Sequence, residues 1–217
     1  MAQAQDIKGD LTLGHSFFTD DSQVSKTYAE GAVEFGVTPK ASIQMDLGFY
    51  GLGVLDENAT NLVLHGIYDT HATGSVGAFV GVDRLAGVSA NFYGIEYGQS
   101  LGSGSIEAYA GTGDQGGVDG TVIGVESEFL IGSEFGVGVK LDHADFEGTL
   151  SATRFGVKGL YGIGDAGKVF AEIGTLRGDI SGVSASEPFV GVGLTVNLGQ
   201  DESTFGRRGL FNLFPGL

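Results

Sequence analysis

The chain has no cysteine, which excludes a disulfide framework, a thiolate metal site and a cysteine nucleophile. No apolar run approaches the roughly 20 residues that a membrane helix needs, so a protein held in a bilayer by spanning helices is excluded, whereas a membrane β-barrel is not. Basic residues are scarce: 11 Lys and Arg stand against 27 Asp and Glu, a formal net charge of −16. A phosphate backbone attracts a basic face, so this balance argues against a nucleic-acid partner. Only 3 prolines are present against 40 glycines, yet 41% of the chain is hydrophobic, which argues against simple disorder. At 217 residues the length suits one domain with a substantial sheet.

What the chain does have is a period of two. In Phe189 to Leu198 the residues Val190, Val192, Leu194, Val196 and Leu198 alternate with Phe189, Gly191, Gly193, Thr195 and Asn197. That is a strand with two chemically different faces. The same pattern sets Ile43, Met45, Leu47 and Phe49 against Gln44, Asp46, Gly48 and Tyr50, and Val76, Ala78, Val80 and Val82 against Gly77, Phe79, Gly81 and Asp83. About twelve strands of roughly nine to eleven residues result, with ten to fourteen open because the fourth, sixth and eighth are least regular. Val63 and Ile67 blur the faces of the fourth. Tight turns such as Thr38-Pro39-Lys40 and Gly102-Ser103-Gly104 alternate with segments read as longer polar loops, among them GDQGGVDG, FEGTLSA and ISGVSASE. An even count of up-and-down strands sorts the long loops to one rim and both termini to the other.

One set of faces is apolar, and the other collects Glu30, Glu34, Asp46, Glu96, Glu107, Glu126, Glu128, Lys140, Arg154, Lys158 and Glu172. The polar set is also dense in glycine, which weakens a solvated strand but fits the crowded concave wall of a narrow barrel. Aromatics including Phe17, Tyr28, Phe49, Tyr68, Phe135, Phe155 and Tyr161 fall near strand ends, as interfacial girdles do. The expected fold is all-β: an up-and-down antiparallel transmembrane β-barrel over residues 6–199. Met1 to Gln5 reads as the remnant of a cleaved export signal, and residues 200–217 as a periplasmic tail.

Gly191 followed by Leu194 and Val196 resembles the C-terminal assembly signal of bacterial outer-membrane barrels. With hairpins such as FGVGVKLDHADFEGTLSATRFGVKGLYGIG, the acidic, glycine-rich chain resembles a small Gram-negative outer-membrane β-barrel, similar in texture to the alphaproteobacterial porins. The resemblance implies residence in the outer membrane among lipid and lipopolysaccharide, and a passive pore. Two departures argue against a trimeric general porin: the segment Asp83 to Gly87 is too short for a constriction loop, and the chain continues past the closing strand.

With the charged face inward, the expected function is a small, cation-preferring pore for ions or small polar solutes. The alternative is a non-conducting structural or interaction barrel, closed by its own side chains, that recruits a partner through its tail or loops. In the tail, Arg207 and Arg208 complement acidic walls, while Phe211 and Phe214 seek burial. The tail is expected to dock on the inner rim, on a partner or in the lumen, or else to rest at the membrane interface. A homo-oligomer is compatible with this reading. No catalytic constellation is marked: His65 and Asp69 share a face but stand about 13 Å apart by strand rise, and the four histidines read as surface or interfacial. Asp20-Asp21, Asp56-Glu57 and Asp114 with Asp119 lack the spacing of a calcium loop. No cofactor or metal is expected.

Overall fold

The computed structural model of the protein describes residues 7–55, 57–147, 150–199 and 201–215. Met1 to Gln5 and Asp56 lie outside them. Twelve strands run in chain order: β1 (Ile7–Phe18), β2 (Ser25–Thr38), β3 (Ala41–Leu52), β4 (Glu57–His71), β5 (Gly74–Leu85), β6 (Val88–Ser100), β7 (Gly104–Gln115), β8 (Val118–Ile131), β9 (Phe135–Phe146), β10 (Leu150–Gly162), β11 (Gly167–Ile180) and β12 (Val183–Asn197). Each pairs with its sequence neighbours, and the sheet closes through β12 against β1, from Asp10 opposite Asn197 to Phe18 opposite Phe189. Closure leaves no unpaired strand edge, the condition a sheet must meet in lipid. The chain ends with a single helical turn, α1 (Leu210–Leu213).

Alternation assigns the two surfaces. On β3, Met45, Leu47 and Phe49 are 39%, 41% and 59% exposed, whereas Gln44 and Asp46 are fully buried. Hydrocarbon outside and carboxylates inside invert the order of a water-soluble sandwich, so the outer solvent of this barrel is lipid. Phe35, Tyr68, Tyr97, Phe135 and Tyr161 point outward near the rim that carries both termini. Phe135 and Tyr161 touch, with ring centroids 5.1 Å apart. This is an aromatic girdle. Tyr28 is not part of it: its ring lies inside, in the space above Gly14, because its parity is that of Lys26 and Glu30.

The fourth strand is regular. Val63 and Ile67 blur the sequence pattern because they point inward with His65, and both are buried. Strand lengths of 12 to 15 residues exceed the nine to eleven read from the pattern. Strand pairing extends through GDQGGVDG and ISGVSASE, expected as longer loops, and through the short segment Asp83 to Gly87. Leu85 pairs with Val88, Gln115 with Val118 and Ile180 with Val183, which leaves two-residue turns at Ala86-Gly87, Gly116-Gly117 and Ser181-Gly182. All six turn residues have positive φ, the conformation that matches the twist of a two-residue hairpin. Asp114 and Asp179 brace two of these turns by accepting the N–H groups of Gly117 and Gly182 at 3.0 Å. Polar pairs such as Thr175 with Ser186, 2.9 Å apart, continue the sheet beyond the apolar band. Such residues read as loop only because both of their faces are wet.

A cation on the outer face near the middle of a strand should cost about 2–4 kcal/mol. Leu47→Arg is therefore expected to lower the urea midpoint of the barrel folded in lipid vesicles, followed by tyrosine emission and by heat-modifiable migration in gels.

Candidate functional site: a lumen occupied by the C-terminal segment

Inward parity brings charged residues from every part of the barrel wall into one column. On the β8–β11 side they form a linked set. Lys158 Nζ lies 3.0 Å from Glu126 and 3.7 Å from Glu128, and Lys140 Nζ lies 3.3 Å from Glu126. Lys168 adds a contact of 2.6 Å to Glu128, and Arg154 donates to Glu172 at 2.6 Å. On the opposite side, His65 is 1% exposed between Glu96, 2.6 Å from its Nδ1, and Asp46, 3.0 Å from its Nε2. His65 is therefore neither a surface nor an interfacial residue. Its place on an inward-parity position of β4 was the available signal.

The tail lies in this lumen. It enters at the rim of the termini, where the Gly9 N–H donates to the Asp201 carbonyl at 3.0 Å. It then climbs to Pro215, whose carbonyl accepts from Ser16 near the other end of β1. An extended segment has no ladder for its own N–H and C=O groups, and burying them unpaired is costly. The wall supplies the partners. Glu34 accepts from the Thr204 N–H at 2.8 Å, and Glu107 from the Gly206 N–H at 3.0 Å. Gln44 bonds both ways with Phe205, accepting its N–H at 3.1 Å and donating to its carbonyl at 2.7 Å. Farther up, Asp83 accepts from the Leu210 N–H at 2.7 Å, Arg154 donates to the Asn212 carbonyl at 2.5 Å, and Lys26 donates to the Phe214 carbonyl at 2.6 Å.

Side chains fix the register of this segment. Arg207 pairs with Asp10. Arg208, 2% exposed, donates to Glu96 through Nε at 3.0 Å, pairs with Glu107, and lies 4.2 Å above the Tyr109 ring centroid. Phe205 is fully buried and stacks on His65, with centroids 6.4 Å apart and planes 18° from parallel. Its seat depends on glycine at 77, where a Cβ would stand 2.6 Å from the Phe205 ring. Gly209, at φ +125°, redirects the chain into α1. Phe211 then packs on Tyr50 at 5.0 Å with Leu52 and Ala59, and Leu213 packs on Ala144 and Ala152 with Phe214 beside it.

All eleven charged residues taken from the alternation sit on inward-facing positions, and Arg207, Arg208, Phe211 and Phe214 all touch the wall. Gln44 and Asp83, like Asp10, belong to the polar faces read from the alternation but were assigned no part in the site; Lys26, Asn61, His65 and Phe205 went unidentified, and all seven contact the tail or its neighbours. Most share the inward parity of residues that were identified. Phe205 carries no such signal, since nothing in the tail repeats. Of the acidic pairs considered for cations, Asp114 is engaged in its turn, and Asp21 accepts from the Gln23 N–H at 3.0 Å. Beside the tail the lumen keeps a polar space of about 220 Å³, bordered by Thr12, Tyr28, Glu30, Lys140 and Lys158.

Solved structures with the same architecture include porins and an outer membrane channel. A KdgM porin in complex with disordered oligogalacturonate aligns with a TM-score of 0.64 at 9% identity, covering 86% of this chain and 98% of that one. The NanC porin aligns at 0.63 and 10% identity over 88% and 100% of the two chains. The COG4313 outer membrane channel from Pseudomonas putida F1 aligns at 0.58 and 11% identity over 91% and 97%. The fold is that of an outer-membrane porin. No protein-family model and no curated protein matches the sequence. The outward apolar belt and the aromatic girdle give the barrel a lipid-facing surface, and its likeness to outer-membrane barrels places it in the outer membrane of a Gram-negative cell.

Because Arg207 and Arg208 are enclosed, trypsin is expected to spare them in the folded barrel. Gly77→Val should unseat Phe205, so that cleavage after Arg207 or Arg208, read by mass spectrometry, rises at least tenfold while the strands stay protected. Arg208→Ala strands two carboxylates, which at buried sites costs about 3–5 kcal/mol. It should therefore release the tail to proteases acting elsewhere in residues 201–215.

Proposed function

We propose that the protein is an outer-membrane pore for ions or small polar solutes whose conducting path is stoppered by its own C-terminal segment. The observation that carries this reading is the pairing of the segment with the charges that would line the path: Arg208 with Glu96 and Glu107, and Arg207 with Asp10. A wall built only for packing has no need of buried carboxylates, which are expensive without partners. A wall built to pass hydrated ions needs charge along its length, and a cationic plug then neutralises it. Likeness to structures described as porins and as a channel supports the same reading.

With the segment withdrawn, Asp10, Asp83 and Glu107 lose the partners the tail gave them, while Glu34 keeps Lys8, and Asp46 and Glu96 keep only His65 between them. The acidic surplus favours cations. The second reading, a non-conducting barrel in its structural form, is favoured by the completeness of the docking: Phe205 is fully buried, and its backbone and that of its neighbours are bonded to the wall. In that case the tail is a structural core and recruits no partner.

Planar-bilayer recording separates the two. The intact protein is expected to be silent or to show rare brief openings, and a chain ending at Gly199 to give steady steps whose reversal potential in a KCl gradient reports cation preference. Glu126→Gln with Glu128→Gln should reduce that preference. Silence of an inserted, heat-modifiable truncated barrel would sink the pore and leave the non-conducting structural barrel.

A further inference from the structure

The lumen changes chemistry along its length. Inward positions in its middle are charged. Toward the rim opposite the termini, on β6 to β9, they become small and uncharged: Ala90, Gly113, Gly120, Val122 and Ala144. Here the tail does not fill the barrel, and a cavity of about 570 Å³ remains, open at that rim. Its floor is made by the tail, with Leu210, Leu213 and Phe214 on one side and Arg208 at the base. Phe79, Phe92 and Phe146 supply aromatic wall.

We propose that this cup is a binding site for a small neutral molecule of mainly hydrocarbon character. Its volume lies within the range of small-molecule sites, which is about 300–1,000 Å³. Its lining selects against ions. The one cation at the base is saturated by Glu96 and Glu107 and covered by Tyr109, so no free charge meets an anionic ligand. Glu96 and Glu107 are spent in the same contacts, and the one carboxylate on the lining, Asp114, is exposed at the rim and bonded to its own turn, so no buried carboxylate meets an amine. Apolar side chains facing a water-filled cup carry a standing free-energy penalty, which a hydrocarbon occupant removes and a sugar or ion does not. Thr112, Asp114, Asn91 and Thr121 border the cup from the outward-parity positions of β6 to β8, Thr112 engaged with the Gly120 carbonyl at 2.8 Å and Asp114 with its turn. The site requires the docked tail but not conduction, so it stands or falls separately from the pore.

The chain has no tryptophan, so a single introduced indole is an unambiguous reporter. Phe92→Trp places it in the cup, and Tyr93→Trp places it on the adjacent outward position, 63% exposed to lipid in the wild type. In nanodiscs of full-length protein, 1-octanol is expected to shift the Phe92→Trp emission saturably to the blue. Octanoate and octylammonium should be at least tenfold weaker, and Tyr93→Trp should show only the linear drift of alcohol entering the bilayer. Adding Ala90→Phe, or ending the chain at Gly199, should abolish the saturable response. The proposal is overturned if the two reporters respond alike, if either ion matches the alcohol, or if the response survives loss of the floor. The comparison of the three ligands needs no cavity-filling variant, so a folding failure of Ala90→Phe leaves the test intact.

Discussion

The arrangement depends on one buried cluster, the Arg208 guanidinium held between Glu96 and Glu107 and covered by Tyr109. Removing any one charge leaves the others buried in a space walled from water by the barrel and the tail. Glu96 also bonds His65, which bonds Asp46, so the cluster extends across β3, β4, β6 and β7. The tail is thereby tied into the wall's own network and does not merely rest against it. Its register follows: with Arg208 fixed, Phe205 falls over His65 and between Gly77 and Gly98, and Leu210 falls at Asp83.

Charge and hydrocarbon divide the work of holding the segment. Ionic contacts at its middle give direction and position, because a misplaced guanidinium would leave carboxylates unpaired. Apolar contacts at both ends, Phe205 below and Phe211 with Leu213 above, supply burial that is insensitive to exact angle. Between them, wall side chains pair the irregular backbone, the role strands play for one another in the sheet. A closed sheet satisfies its own backbone and has nothing left for a visitor, so a segment without regular structure enters such a lumen only where inward side chains offer donors and acceptors.

The inward glycines acquire a specific meaning in this context. Gly77 and Gly98 make room for Phe205, Gly14 for Tyr28, and Gly193 for Phe170. Aromatic rings lying across backbone at residues without Cβ fill a narrow lumen more densely than two medium side chains facing each other would. The same economy fails near the rim opposite the termini. There the small residues on β6 to β9 are met by the tail along one side only, through Leu213 and Phe214, and the cup is what remains.

Strand existence, the two faces of each strand, closure and the inward charged set were legible in the sequence, because a period of two is a local property: Gln44, Asp46 and Gly48 alternate with Met45 and Leu47 whatever their partners. The hairpins at Gly116-Gly117 and Ser181-Gly182 were misjudged as longer loops because strands that rise out of the membrane are polar on both faces, which removes the contrast that alternation relies on. Tyr28 and His65 were misplaced for a different reason, residue type having been weighed above parity. The course of residues 201–215 through the lumen was beyond any local pattern. It is decided by complementarity between an aperiodic segment and side chains drawn from most of the strands, and those side chains become neighbours only when β12 pairs with β1.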